Sequence, residues 1–135
     1  DHRLVNYAVR FTAPYGTLHL ANVEDSLTFE RYIDAISKVP TIETDEARES
    51  IMHQLLKESH DYADSCRAAF KEHGIDLTVE DTAVVGKHLS GYKRLIEERR
   101  VALLVLNTKD HDQLAMHGLA YPLAVEMNHV PLLML

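Results

Sequence analysis

The chain has 135 residues, 46% of them hydrophobic and 26% charged, a balance that fits one globular domain with a real core and excludes a disordered segment. Fourteen Lys and Arg against 21 Asp and Glu leave a formal charge of −7, which repels phosphate backbones and argues against nucleic-acid binding. The single cysteine, Cys66, excludes an internal disulfide framework and a Cys-based zinc site, and no apolar run reaches the roughly 18–20 residues of a membrane span.

In chain order, the first sixteen residues satisfy two periods. Val5, Tyr7, Val9 and Phe11 alternate as in a strand, while Leu4, Ala8 and Phe11 fit a helix. Pro14-Tyr15-Gly16 then marks a turn that launches a strand over residues 17–23. Residues 24–43 read as a long connection, with a short helix around Leu27–Ile36. The strongest helix covers 45–73. Ile51, Met52, Leu55, Leu56, Tyr62, Ala63, Cys66, Ala69 and Phe70 form one apolar stripe, so Leu55, Leu56 and Cys66 are expected to be buried. Thr44 is placed to cap its start, Asp45 and Glu46 favour its positive end, and Gly74 is its stop.

Leu77 to Val85 reads as the next strand, ending at Gly86, and Leu89, Tyr92, Leu95 and Ile96 give a helix over 88–99. Val101 to Leu106 is continuously apolar, as in a central parallel strand buried on both faces. A helix follows from about Leu114 to Asn128, interrupted by Pro122, and Pro131 to Leu135 closes as a last strand. Strands alternating with helices in this way imply crossover connections and a mainly parallel α/β sheet.

Several segments resemble the universal stress protein family, whose doubly wound parallel sheet has strand order 3-2-1-4-5 with helices on both faces. Asp1 to Arg10 resembles the family's first helix, which decides the ambiguous start for the helix. Gly16 to Val23 resembles its second strand, Val84-Val85-Gly86 the end of its third, and Leu103 to Lys109 its fourth strand and following loop. Gly118 to Pro131 resembles the last helix, with the Gly-to-Pro spacing usual in the family. The resemblance implies one domain over 1–135 that lacks the family's opening strand and the Asp at its end. The expectation is that this sequence begins inside a longer chain.

The nucleotide loop departs from the family pattern. Members that bind ATP resemble Gly-x-x-Gly, nine residues, then Gly-Ser or Gly-Thr, a loop whose amides cradle phosphates. Here the positions read Asn107-Thr108-Lys109-Asp110, then seven residues, then Gly118-Leu119. Loss of both glycines restricts close backbone approach, Asp110 and Asp112 add like charge, and Leu119 removes a hydroxyl. ATP is therefore expected to bind weakly, and AMP or adenosine as well or better. The resemblance points to Asn107, Thr108, Lys109 and Gly118 as binding residues, with Val23 and Val85 walling an adenine.

Other constellations carry less. His53 and His60 lie seven apart at the polar border of the long helix, and Asp110, His111 and His117 lack the spacing of a metal motif, so no metal site is assigned. Cys66 sits mid-stripe as a small hydrophobe, and no Gly-x-Ser-x-Gly elbow or other catalytic set is present. The wholly apolar 131–135 segment would form a sheet edge, and the resemblance implies a homodimer paired through it. The expectation is a non-enzymatic, cytoplasmic stress-response or regulatory domain with a degenerate adenine-nucleotide site. The alternatives are an adenine-nucleotide α-hydrolase-like enzyme, or the cytoplasmic regulatory domain of a larger transporter.

Overall fold

The computed structural model describes residues 2–108 and 118–135. Among these, five helices and four strands run in the order α1 (His2–Phe11), β1 (Thr17–Asp25), α2 (Ser26–Ser37), α3 (Thr44–Glu72), β2 (Thr78–Gly86), α4 (His88–Glu98), β3 (Leu104–Leu106), α5 (Ala120–Glu126) and β4 (Leu132–Met134). The strands form two parallel pairs, β1 with β2 and β3 with β4. In place of the single doubly wound sheet of order 3-2-1-4-5 that the resemblance implies, the described strands form two small sheets. They fall in separate compact units, one of residues 14–88 and one of residues 1–13 with 89–135.

In the 14–88 unit, β1 and β2 pair over their full lengths, from Thr17 opposite Thr78 to Asp25 opposite Gly86. Helix α3 packs on β2, burying Ala63, Cys66 and Phe70 at steps of three and four residues. Leu55 and Leu56, expected in the core with Cys66, are only half-buried. The buried part of the stripe lies in the C-terminal half of α3. Thr44 is the first residue of this helix and not its cap; Glu43 takes the cap position with no side-chain hydrogen bond.

The stop at Gly74 follows from backbone geometry. Ile75 N–H donates to the Phe70 carbonyl (2.8 Å) and Gly74 N–H to that of Lys71 (3.4 Å), with Gly74 at φ 65°. This is a Schellman closure, which places its left-handed residue where glycine is least strained.

The short helix expected around Leu27–Ile36 is α2, twelve residues long and one residue longer at each end. Asp25 caps it: one carboxylate oxygen accepts from Thr28 N–H (3.0 Å) and from the Thr28 hydroxyl (2.8 Å). Phe29 and Ile33, one turn apart, form its buried face. Arg48 of α3 makes a two-pronged ion pair with Glu30 at 2.6 and 2.8 Å and lies 5.8 Å from the centre of the Phe29 ring.

In the other unit, Ile96 of α4 packs with Leu123 of α5 and Met127, with Leu89, Tyr92, Val101, Leu104, Leu119 and Val130 around them. Strand β3 covers only Leu104–Leu106 of the expected Val101–Leu106 strand, and its residues are half-buried. The shortening has a local cause. Val101 N–H donates to Ile96 O (3.0 Å) and Arg100 N–H to Glu97 O (3.2 Å), so the start of the apolar run is spent closing α4. Arg100 occupies the left-handed position of that closure, at φ 49°. Pro122 falls in the first turn of α5, where a helix needs no amide donor, so within the described residues it belongs to the start of the helix and interrupts nothing. The expected helical residues 114–117 lie outside the described residues.

Candidate functional site

Open α/β sheets bind ligands at the C-terminal ends of their parallel strands, so the candidate residues are described where those ends fall. Past β3, Thr108 spends both its donors on one acceptor. Its amide and its hydroxyl donate to the Leu135 carbonyl at 3.0 and 2.9 Å, while Leu135 N–H donates to the Leu106 carbonyl (3.0 Å). The hydroxyl's only proton therefore ties the end of β3 to the chain beyond β4, leaving the oxygen as an acceptor. Asn107 is half-buried and Gly118 buried, with Leu119 at the N-cap position of α5 and making no side-chain cap. Lys109, and with it Asp110, Asp112, His111 and His117, lies outside the described residues.

In the 14–88 unit, Val23 and Val85 sit near the ends of neighbouring strands, Val23 opposite Val84 and Val85 opposite Glu24. Val23 is 0% exposed, whereas Val85 retains accessible surface. Close by in sequence, the Asn22 amide donates to Glu24 and to the Ser59 hydroxyl, each at 2.8 Å. Asp25 is held below the usual carboxylate range, chiefly by the Thr28 hydroxyl, with His88 adding a smaller favourable charge.

An ion network on α3 and β2 was not legible in the sequence. Asp81, whose side chain is 17% exposed, accepts from Arg67 with one oxygen and contacts His60 Nδ1 with the other. Arg67 also donates to Asp64 (2.7 Å) and to the Val79 carbonyl (3.1 and 3.0 Å). The Arg67 guanidinium holds Asp81 below its ordinary range, and Asp81 in turn raises Arg67. His60 and Arg67 are two helical turns apart, so their shared face was visible, but nothing local told that a β2 carboxylate would meet them. Cys66 is buried, as its place in the stripe implied. Burial pushes the neighbouring Tyr62 phenol up to about 12, with Cys66 adding to the shift. Among the described residues no group of three or more His, Cys, Asp or Glu could hold a metal ion, and no helix is long and apolar enough to cross a membrane.

No protein-family model matches the chain, and no curated protein matches it. Among solved structures it is similar to hypothetical protein MJ0577, presented as a structure-based assignment of biochemical function and a test case of structural genomics. The likeness spans 99% of this chain and 85% of that one, with a TM-score of 0.70 and 15% sequence identity. The chain therefore has an α/β fold like that of MJ0577.

Proposed function

We propose that the chain is a universal-stress-protein-like regulatory domain, cytoplasmic and non-enzymatic, with a degenerate adenine-nucleotide site and a dimer interface along β4. The observation that carries this reading is the agreement of two lines of argument. Segments 1–10, 16–23, 84–86, 103–109 and 118–131 resemble that family in order and spacing, and the chain takes an MJ0577-like fold over 99% of its length. The parallel pairs β1-β2 and β3-β4 are compatible with the 2-3 and 4-5 neighbours of the order 3-2-1-4-5.

By the resemblance alone, the loop residues of that site are Asn107, Thr108, Lys109 and Gly118, and its adenine-wall residues are Val23 and Val85. Its weakness for triphosphate follows from the lost glycines and from a Thr108 hydroxyl already bonded to Leu135. Strand β4 pairs on one side with β3, and its residues Leu132, Leu133 and Met134 keep accessible surface, which supports pairing with a second copy.

Titration calorimetry with ATP, AMP and adenosine tests the site. AMP or adenosine should bind at least as tightly as ATP. Micromolar ATP with weaker AMP would overturn the degenerate-loop reading, and no binding of any of the three would remove the nucleotide altogether. Sedimentation of wild type and Leu133→Lys tests the interface, with a dimer for the first and a monomer for the second.

A further inference from the structure

A concavity lies at the N-terminal ends of β1 and β2, beside the C-terminal end of α3. It encloses about 380 Å³, within the range of small-molecule sites, and is lined by Tyr15, Arg67, Phe70, Lys71, Ile75, Asp76, Leu77, Thr78 and Val79. All these residues belong to the 14–88 unit. Phe70 is 9% exposed and packs in the core, so with half-buried Ile75, Leu77 and Val79 it gives the cleft an apolar surface.

The polar groups differ in their commitments. Arg67 is spent on Asp64, Asp81 and the Val79 carbonyl. Lys71 and Asp76 both line the cleft, and among the described residues neither side chain has a hydrogen bond or an ion pair, with each other or with another group. Opposite charges on two residues of one cleft that do not neutralise each other are both available to a ligand.

Tyr15 completes the arrangement. Its backbone is left-handed, at φ 61°, a conformation that costs a bulky residue energy. Two hydrogen bonds impose it, from Tyr15 N–H to the Asp76 carbonyl and from Thr78 N–H to the Gly16 carbonyl, both 2.9 Å. The outcome is an aromatic ring 83% exposed at the cleft, where burial inside the protein does not account for it.

We infer that this cleft binds a small zwitterion with an apolar body, an α-amino acid with an aromatic or large aliphatic side chain. Lys71 receives the carboxylate, Asp76 the ammonium, and the side chain lies on the Phe70, Ile75 and Leu77 surface against the Tyr15 ring. A pure anion would meet Asp76 and a pure cation would meet Lys71, so the site selects against both.

Calorimetric titration of the full chain with L-phenylalanine tests this, with phenylacetate and phenethylamine as probes carrying one charge each. Phenylalanine should saturate, and each single-charge analogue should bind about tenfold or more weakly. Lys71→Met and Asp76→Asn should each weaken phenylalanine about tenfold, with Lys71→Arg keeping most of the affinity. Should a variant lose its native circular dichroism, the analogue comparison on wild type still decides the matter. No saturation by about 10 mM phenylalanine, equal binding of an analogue, or native-like variants that bind as wild type would each overturn the inference.

Discussion

Arg100 holds a backbone conformation that its side chain disfavours, set by the hydrogen bonds that close α4. It sits at φ 49° after α4, exposed, and its side chain makes no hydrogen bond or ion pair among the described residues. The left-handed region costs a residue with a Cβ about 1–2 kcal/mol. Replacing it by glycine removes that cost but frees the unfolded chain, which returns about 0.4–1 kcal/mol. Arg100→Gly should therefore stabilise by about 0.5–1 kcal/mol. The converse change exists in the other unit. Gly74→Ala places a Cβ at φ 65° with no heavy atom within 4 Å, so its cost is conformational and should be about 0.5–1 kcal/mol of lost stability. Urea titration reads both as shifts of the midpoint at constant slope. Arg100→Ala is the control, since it removes the charge and keeps the Cβ. A destabilised Arg100→Gly, or an equal gain from Arg100→Ala, would refute the conformational argument.

Asp81→Asn should lower the urea midpoint at pH 7 by the equivalent of about 1 kcal/mol, after discounting for the half-exposed Arg67. Because the folded carboxyl titrates below its ordinary 3.8, the stabilisation is complete above that value and is lost as pH falls through the lowered one. The gap between wild type and variant should thus close with acidification below pH 3.8; a gap that persisted or widened there would contradict the sign. Phe70→Ala should cost about 3–5 kcal/mol, and Leu55→Ala clearly less, since Phe70 is buried and Leu55 half-exposed. Denaturant titration of the pair checks it, and equal losses would place Leu55 in the core.

The elements that were legible in the sequence are those specified locally. Gly74 after a three-and-four stripe gives the end of α3 because the stop depends on one residue's φ. The strands expected at 17–23 and 77–85 were legible because turn residues bound them, although the first runs on to Asp25. Helix α2 was legible to within a residue at each end, because Asp25, Thr28, Phe29 and Ile33 carry its cap and its apolar face. The Val101–Leu106 run was overread as strand. Hydrophobicity does not show that the Val101 amide is claimed by Ile96, nor that an arginine will take a left-handed turn. Asp81 illustrates a further limit, since its partners are 14 and 21 residues away on a helix.

The candidate loop shows how a hydroxyl can be present in sequence and yet be allocated elsewhere. Read alone, Thr108 offers a donor to a phosphate. In the fold its amide and its hydroxyl converge on the Leu135 carbonyl, so recruiting either to a ligand would break a bond that joins the ends of β3 and β4. Such an exchange gains nothing unless the new bond is stronger than the old, and a charge-assisted bond to phosphate is roughly twice a neutral one. On the proposed reading, that gain is offset by the like charge Asp110 brings to the loop sequence and by the closer backbone approach that the two lost glycines would have allowed. A ligand with fewer phosphates meets less of that repulsion and asks less of Thr108. If the proposed nucleotide site exists, the order of affinities, adenosine and AMP against ATP, reads out how far Thr108 can be drawn from strand pairing into recognition.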